Sequence, residues 1–326
     1  RLINDFLRDF PLTAEDHHLI FLPLSNYQQR MSVYACLYSG CSLTITNFTQ
    51  AFSQLTKAKP TFIIAPPAVY ENIYNTFNAL PNSGEKIRQF LGGKMRFMIT
   101  GMAAIKTPML LEAYGVTETG MIAWNTPEAN RQGSVGKAVH PDEVILNDDG
   151  EVIIRRQYPL SLGYFQAAGS DAQQTFLSSG DIATGDIAQI DDDGFITLVG
   201  RKKEIITTAA GVKFHPEIVE NQLNQITGVL TSVVVWQTQS SQLYGVICVK
   251  NKADNALIAT IEKAVEVYNL QCAPWMRVVK LVVTDQAFSI EAGTLTRNMK
   301  LNRKGVAAKH LDAQAVETHL ETEANE

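Results

Sequence analysis

The hydrophobic residues of the first hundred positions switch between helical and strand-like spacing. Residues 1–10 carry apolar side chains at helical spacing and are followed by a proline, which predicts an amphipathic helix. Short apolar runs that close at Pro23 and Gly101 are typical of buried strands. Further helices are predicted over 28–39 and 67–80. This alternation of strands with helices predicts an α/β domain with a largely parallel sheet.

The pattern changes after about residue 130, where short strand-like runs are separated by turn residues. The Asp-Asp-Gly sequences at 148–150 and 192–194 predict hairpin turns and therefore an antiparallel β subdomain. Beyond Gly200, helices and strands alternate again over shorter distances, which predicts a small α+β domain. Its predicted elements are helices 216–226 and 254–269 and strands 230–236, 244–249 and 278–284.

These changes of pattern divide the chain into two predicted domains. Residues 1–200 form the remainder of a large α/β domain, of which 1–130 is the α/β part and 131–200 the β-rich subdomain. Residues 201–326 form a small α+β domain, with an acidic tail from about residue 311 that we interpret as a frayed helix.

Composition narrows the class of protein without identifying it. The chain is 45% hydrophobic and 19% charged, as in an ordinary globular protein, and a net charge of −5 gives no case for a nucleic-acid partner. Between Arg201 and His310, however, fourteen Lys and Arg stand against eight Asp and Glu. This excess of positive charge could bind a polyanion such as coenzyme A. The alternative is an ordinary solvated surface without a ligand. The four cysteines form no CxxC pair and indicate reduced thiols in a cytoplasmic protein.

Two segments combine side chains that suit a nucleotide. The Tyr114–Gly120 segment offers an aromatic ring for a base, hydroxyls for phosphate oxygens and one carboxylate for Mg²⁺. The alternative is a turn after a strand. In Thr184-Gly185-Asp186 a carboxylate is available for the vicinal hydroxyls of a ribose, and Arg201 follows fifteen residues later. The alternative here is a pair of hairpin acids and a surface arginine.

A third segment, residues 293–304, is basic and polar and contains Lys300. A lysine on a mobile loop could bring a positive charge to a developing anion. The alternative is a solvated loop without a ligand.

The order of these motifs resembles the adenylate-forming superfamily, which includes acyl-CoA synthetases, firefly luciferase and peptide-synthetase adenylation domains. The matching motifs are Tyr-Gly-x-Thr-Glu, Thr-Gly-Asp, Asp-Gly-Phe with Gly-Arg-Lys-Lys-Glu, and Thr-x-x-x-Lys-x-x-Arg. Together they cover about Arg1 to His310. Segments 21–25, 67–74 and 288–296 are similar to the long-chain fatty acyl-CoA synthetases in particular.

The resemblance implies a role for several residues of the large domain and for Arg201 at the start of the small one. Tyr114 would stack on adenine, with Ala113 and Gly115 shaping the wall of the site. Thr117 would contact the α-phosphate, and Glu118 would bind Mg²⁺. Asp186 would bind the hydroxyls of the ribose, and Arg201 would support the ribose. Asp181 lies in a similar sequence but would not have this role.

The resemblance also implies how the small domain acts. Lys300 would bridge the carboxylate and the α-phosphate during adenylation, and Lys203 would be the hinge of a mobile lid. The residues of the implied coenzyme A channel are Thr208, Ala209, Ala210 and Gly211. The sequence departs from the family pattern at Asn26, Ala68, Met102, Ala104 and Ala210.

The implied activity is ATP- and Mg²⁺-dependent activation of a fatty acid to acyl-AMP, followed by acyl transfer to coenzyme A. Two alternatives stay open: transfer to an acyl carrier protein, and a non-catalytic binder of an acid or nucleotide. The family's Ser/Thr/Gly-rich phosphate loop is not found in this sequence, and we expect the full protein to carry it upstream of Arg1. No run approaches the roughly 20 apolar residues of a membrane span, so we expect a cytoplasmic location, with contact at a membrane surface left open.

Overall fold

The computed structural model of the protein describes residues 1–77, 80–101, 109–157, 161–165, 170–238, 240–296, 301–311 and 317–319. They belong to two compact units, Arg1–Leu198 and Val199–Glu326.

The first unit contains a large mixed sheet. Its strands are β1 (His17–Ile20), β2 (Ser42–Ile45), β3 (Phe62–Ile64), β4 (Phe97–Thr100), β5 (Leu110–Val116), β6 (Gly120–Trp124) and β7 (Lys137–Ala138). They lie in the order β2-β1-β3-β4-β5-β6-β7, with parallel pairing from β2 to β5 and antiparallel pairing from β5 to β7. The helices between them are α1 (Leu2–Asp9), α2 (Tyr27–Ser39), α3 (Phe48–Ala58), α4 (Pro67–Phe77) and α5 (Ser83–Phe90).

Side chains of the central strands alternate between two hydrophobic cores. In β3, Phe62 and Ile64 belong to the core that contains residues of α1 and α2, whereas Ile63 belongs to the core formed with α3, α4 and α5. Strand β4 repeats this alternation with Phe97 and Met98. Successive strand residues point to opposite faces, so an uninterrupted apolar run is buried on both faces, as parallel strands covered by helices require. The predicted α/β fold class is confirmed.

A smaller sheet completes the first unit. Its strands are β8 (Val144–Leu146), β9 (Glu151–Ile154), β10 (Ile182–Ile190) and β11 (Ile196–Arg201), in the order β11-β10-β9-β8, and a short helix α6 spans Ser170–Thr175. Strand β9 pairs antiparallel with both β8 and β10. The two Asp-Asp-Gly sequences lie in the turns between neighbouring strands, as predicted, and Gly150 and Gly194 adopt φ of 78° and 84° there.

The second unit is an α+β structure. Its strands are β12 (Ile206–Thr207), β13 (Lys213–Phe214), β14 (Val229–Gln237), β15 (Gln242–Val249), β16 (Val278–Thr284) and β17 (Glu317–His319), and its helices are α7 (Pro216–Leu223), α8 (Asn255–Gln271) and α9 (Arg303–His310). Strands β14 and β15 are antiparallel, whereas β15 and β16 are parallel. Buried residues of α7 and α8 pack against this sheet. Among the described residues, no helix combines the length and the apolar character needed to cross a membrane.

The acidic tail differs from the prediction. The prediction of a frayed helix after Leu311 is wrong for residues Glu317–His319. These residues form strand β17, which pairs antiparallel with Lys280–Val282. An edge strand exposes a row of unpaired N–H and C=O groups, so a short segment gains more by pairing with β16 than by starting a helix.

A cluster of charged side chains surrounds Arg303, the first residue of α9. Its guanidinium lies 2.9 Å from the Glu204 carboxylate and 3.7 Å from that of Glu217, pairs with Glu220, and donates to the carbonyl of Val234 at 3.0 Å. Burial alone would lower the pKa of Arg303, but the carboxylates, Glu220 foremost, raise it instead. Burial also raises the pKa of Glu220, and it raises the pKa of Glu217 to about 7.

Glu217 should make the second unit less stable as the pH rises. Its folded-state pKa of about 7 exceeds the ordinary 4.5, so between these values the folded chain holds a proton that the unfolded chain releases. This stabilisation, about 3 kcal/mol, is complete below the unfolded pKa and is lost as the pH rises through the folded one. We expect the stability of the second unit to fall less between about pH 5 and about pH 8 in Glu217→Gln than in the wild type. Hydrogen exchange of the β14–β16 amides at the two pH values measures this difference. Glu266→Gln, at an exposed position of α8, is the matched control; a wild-type slope in Glu217→Gln would contradict the prediction.

Candidate active site

The Tyr114–Gly120 segment forms the end of β5, a tight turn and the start of β6. Gly115 lies so close to β6 that an added Cβ would be 2.5 Å from the carbonyl oxygen of Gly120. Gly120 itself has a φ of 71°, a conformation that favours glycine. The two glycines therefore allow a sharp turn that presents Thr117 and Glu118.

Asp186 reaches Tyr114 because strand β10 contains a bulge. The pairing of β10 with β9 shifts between Ala183 and Ile187, and Gly185 inside this bulge has a φ of 74°. Such a bulge redirects the side chains next to it. The Tyr114 hydroxyl donates to Oδ2 of Asp186 at 2.8 Å, and each residue is only 6% exposed. The structure thus brings together the residues predicted to bind adenine and ribose.

The Tyr114 ring belongs to a hydrophobic core, with Ile122 and Ala123 of β6 and Val152 of β9. Only a small part of the ring reaches solvent, and Ala113 beside it is half-buried. The implied stacking on adenine stays a prediction.

Asp181, the look-alike, has a different partner. Its carboxylate accepts from Nε and Nη2 of Arg155 at 3.1 and 2.9 Å. The hydrogen bonds from this guanidinium lower the pKa of Asp181. The two acids therefore lie in distinct surroundings, although the ribose role of Asp186 stays a prediction.

The turn carries a hydroxyl and a carboxylate that would suit Mg²⁺ and phosphate. Thr117 is exposed, and Oε1 of Glu118 accepts from the Tyr164 hydroxyl at 2.5 Å. The residues that the structure describes contain no group of three or more His, Cys, Asp or Glu arranged for a metal. Mg²⁺ bound with a nucleotide usually takes only one or two carboxylates, because phosphates and waters complete its coordination. Glu118 fits that donor set.

Sequence reasoning missed two residues that contact this turn. One is Tyr164, the partner of Glu118, and the other is Arg156, which donates to the main-chain carbonyl of Thr119. Neither stands in a motif of fixed spacing, so only the fold reveals them. Asn26, a departure from the family pattern, caps α2 by accepting from the Gln28 amide at 3.1 Å.

The second unit carries the other predicted residues. Arg201 is exposed at the end of β11. Lys203 is exposed in the short 3-10 turn that follows, Lys202–Glu204. Residues 208–211 form the tight turn between β12 and β13, in which the Thr208 carbonyl accepts from the Gly211 amide at 2.9 Å. Ala209 and Ala210 are exposed in this turn. Met102, Ala104 and Lys300 lie outside the described residues.

The chain is similar to known proteins in both sequence and fold. The sequence pattern of the AMP-binding enzyme family matches residues 2–165. The chain is 28% identical to a long-chain-fatty-acid–CoA ligase, FadD15, of Mycobacterium bovis over 89% of its length, and 30% identical to a long-chain-fatty-acid–CoA ligase of Yersinia pestis over 74%. The solved structure of the anthranilate CoA ligase AuaEII with anthranoyl-AMP has a similar fold, with a TM-score of 0.76 over 95% of this chain and 63% of its own at 21% identity.

The chain therefore belongs to the AMP-binding enzymes, the adenylate-forming superfamily. Within that superfamily it is similar to the long-chain fatty acyl-CoA synthetases. It spans 60% of the M. bovis ligase and 47% of the Y. pestis ligase.

Proposed function

We propose that the protein is an AMP-forming ligase that activates a fatty acid with ATP and transfers the acyl group to coenzyme A. Family membership supports the adenylation, and the two curated ligases support a fatty acid as the substrate. The observation that carries the proposal is the hydrogen bond of Tyr114 with Asp186 next to the Thr117–Glu118 turn. This arrangement brings an aromatic ring, a carboxylate and a turn with a hydroxyl and a second carboxylate together in one unit, which supports the proposed nucleotide site.

A nucleotide would replace an internal contact of this site. Tyr114 and Asp186 now bind each other. A carboxylate has lone pairs for more than one donor, so Asp186 could accept from ribose hydroxyls while the phenol shifts to place its ring against adenine. We propose that the hydrogen bond from Tyr114 keeps the carboxylate satisfied until the nucleotide binds.

The chemical obstacle in adenylation is repulsion, because the fatty acid carboxylate and ATP are both anions. Glu118 would hold Mg²⁺, which supplies positive charge beside the phosphates. The Thr117 hydroxyl would donate a hydrogen bond to the α-phosphate. The Lys300 ammonium would neutralise the charge that develops as the carboxylate attacks the α-phosphorus. Pyrophosphate then leaves, and acyl-AMP remains.

The second half-reaction transfers the acyl group to a thiol. We propose that residues 208–211 line the path of the pantetheine arm and that Lys203 is the hinge that presents them. Adenylation chemistry does not decide whether the thiol belongs to coenzyme A or to an acyl carrier protein. Pyrophosphate release over a series of fatty acids, with each acceptor present or omitted, distinguishes the two ligases. AMP binding without any pyrophosphate release would instead favour a non-catalytic binder.

We expect Asp186→Ala to weaken AMP binding at least tenfold, because hydrogen bonds to a charged group are worth about 1.5–3 kcal/mol each. Asp181→Ala is the matched control and should change the affinity little, since its carboxylate is engaged by Arg155. Isothermal titration calorimetry with AMP measures both. Equal affinities of the two variants would contradict the assignment of Asp186.

One complication is that Asp186→Ala also removes the acceptor of the buried Tyr114 hydroxyl. A buried donor without a partner costs about 1–3 kcal/mol of stability. The comparison should therefore be repeated in Tyr114→Phe, which keeps the ring and lacks the donor. If the loss of affinity disappears in that background, it came from the stranded hydroxyl and not from the ribose.

A further inference from the structure

A single arginine supports the turn of the candidate active site from inside the first unit. Nε of Arg156 donates to the Glu143 carboxylate at 2.5 Å. Its Nη1 donates to the carbonyl of Thr119, and its Nη2 lies 3.4 Å from the carbonyl of Met121. The side chain is only 10% exposed. Arg156 thus binds the main chain on the C-terminal side of Thr117 and Glu118.

Arg156 is itself held in place through Glu143. The other carboxylate oxygen of Glu143 pairs with Arg1 at 2.6 Å. The Glu143 carbonyl also accepts from the amide of Arg155 at 2.9 Å, which fixes the backbone next to Arg156. The Glu143 carboxylate is therefore anchored on one side by Arg1 and on the other by Arg156. A planar guanidinium can reach one carboxylate and two carbonyls in fixed directions, which a lysine ammonium on a flexible stem does not reproduce.

The turn needs such support because its functional side chains have little packing of their own. Thr117 is exposed, and Glu118 contacts Tyr164, which is 43% exposed. The position of both side chains therefore follows from the backbone of the turn. Arg156 fixes that backbone at Thr119, where the chain enters β6.

We propose that Arg156 is a positioning residue that holds Thr117 and Glu118 where the phosphate of a bound nucleotide needs them. Its guanidinium is directed at main-chain carbonyls, so it acts through the turn and does not itself contact the nucleotide. The inference rests on the proposed function, since it assumes that this turn binds a nucleotide phosphate.

The test compares AMP with adenosine. Both ligands offer adenine and ribose, and only AMP offers a phosphate, so the ratio of their dissociation constants isolates the contribution of the turn. We expect Arg156→Gln to reduce the advantage of AMP over adenosine about tenfold, the equivalent of one hydrogen bond to a charged group. Adenosine affinity should change less than about threefold. Arg155→Gln is the matched control and should keep the wild-type ratio, because Arg155 pairs with Asp181 away from the turn.

Arg156→Lys separates position from charge and also serves if Arg156→Gln does not fold. Arg156→Lys keeps the positive charge but loses the planar guanidinium. If Arg156 acts by positioning the turn, the advantage of AMP over adenosine should therefore fall in this variant too. A wild-type ratio in Arg156→Lys would mean that the positive charge alone suffices, and would overturn the proposal. An equal loss of both ligands would indicate a merely structural role and would overturn it as well. If the wild-type protein bound neither ligand, the proposed function itself would fail, whereas AMP binding with unchanged ratios would reject only the role of Arg156.

Discussion

Replacing Lys300 by alanine should slow formation of acyl-AMP by two or more orders of magnitude. The proposed reaction brings two anions together, and removing one positive group that acts on the transition state typically costs about 10²–10³ in rate. Binding of AMP should change far less, because the contacts with adenine and ribose are assigned to Tyr114 and Asp186. Thioester formation from supplied acyl-AMP should also survive, since the proposed mechanism uses the lysine only in adenylation.

The measurement is single-turnover acyl-AMP formation together with thioester formation from synthetic acyl-AMP. Lys304→Ala is the matched control, because it removes a lysine of the same basic segment. An equal loss in both half-reactions of Lys300→Ala would contradict the assignment of this lysine to adenylation alone.

The large sheet could be predicted from the sequence because its signals are local. Uninterrupted apolar runs marked the parallel strands, and Gly40 ended α2 where it was predicted, with a φ of 76°. Helix α3 was overlooked although its N-cap Asn47 and its buried Ala51 and Leu55 lie at regular spacing. Helix α5 had a weaker signal, because its N-cap makes no side-chain hydrogen bond and Ile87 is its one buried residue among those described.

The candidate site was predictable only as far as motifs reach. The Tyr114 and Asp186 motifs were recognised separately, but their hydrogen bond depends on a bulge in β10 that no spacing rule foretells. Arg156 had no signal at all, because its acceptors on the turn are main-chain carbonyls, which every residue possesses. Sequence reasoning therefore could not supply the contacts that depend on the bulge of β10 or on main-chain acceptors.

The structure also connects two predicted elements of the second unit. Glu204 ends the 3-10 turn that contains Lys203, and its carboxylate pairs with Arg303 at 2.9 Å. Arg303 follows Lys300 by three residues in the sequence. A change of the backbone at Lys203 would therefore act on Glu204 directly, and through Arg303 on the start of α9 next to the Lys300 segment.

This connection sharpens the expectation for the hinge. Proline at position 203 fixes φ near −65°, within the range of a 3-10 turn, and prevents any large change there. It also disfavours the helical conformation of Lys202, the first residue of the turn. We expect Lys203→Pro to keep most of its adenylation rate, because in the proposed mechanism the rotation follows adenylation. Thioester synthesis should be lost and acyl-AMP should be released slowly. Single-turnover acyl-AMP formation and steady-state acyl-CoA production measure the two steps.

Lys202→Pro is the matched control for this variant. Arg201, the residue before it, has φ −103° and ψ 136°, the extended conformation that a following proline requires. Proline therefore fits at position 202 and leaves φ of Lys203 free, so Lys202→Pro should make acyl-CoA at close to the wild-type rate. Lys203→Ala should do the same, because it removes only the side chain. Normal acyl-CoA output from Lys203→Pro would place the hinge elsewhere, and equal loss in both proline variants would mean that the turn as a whole, and not φ of Lys203, is what the second half-reaction requires.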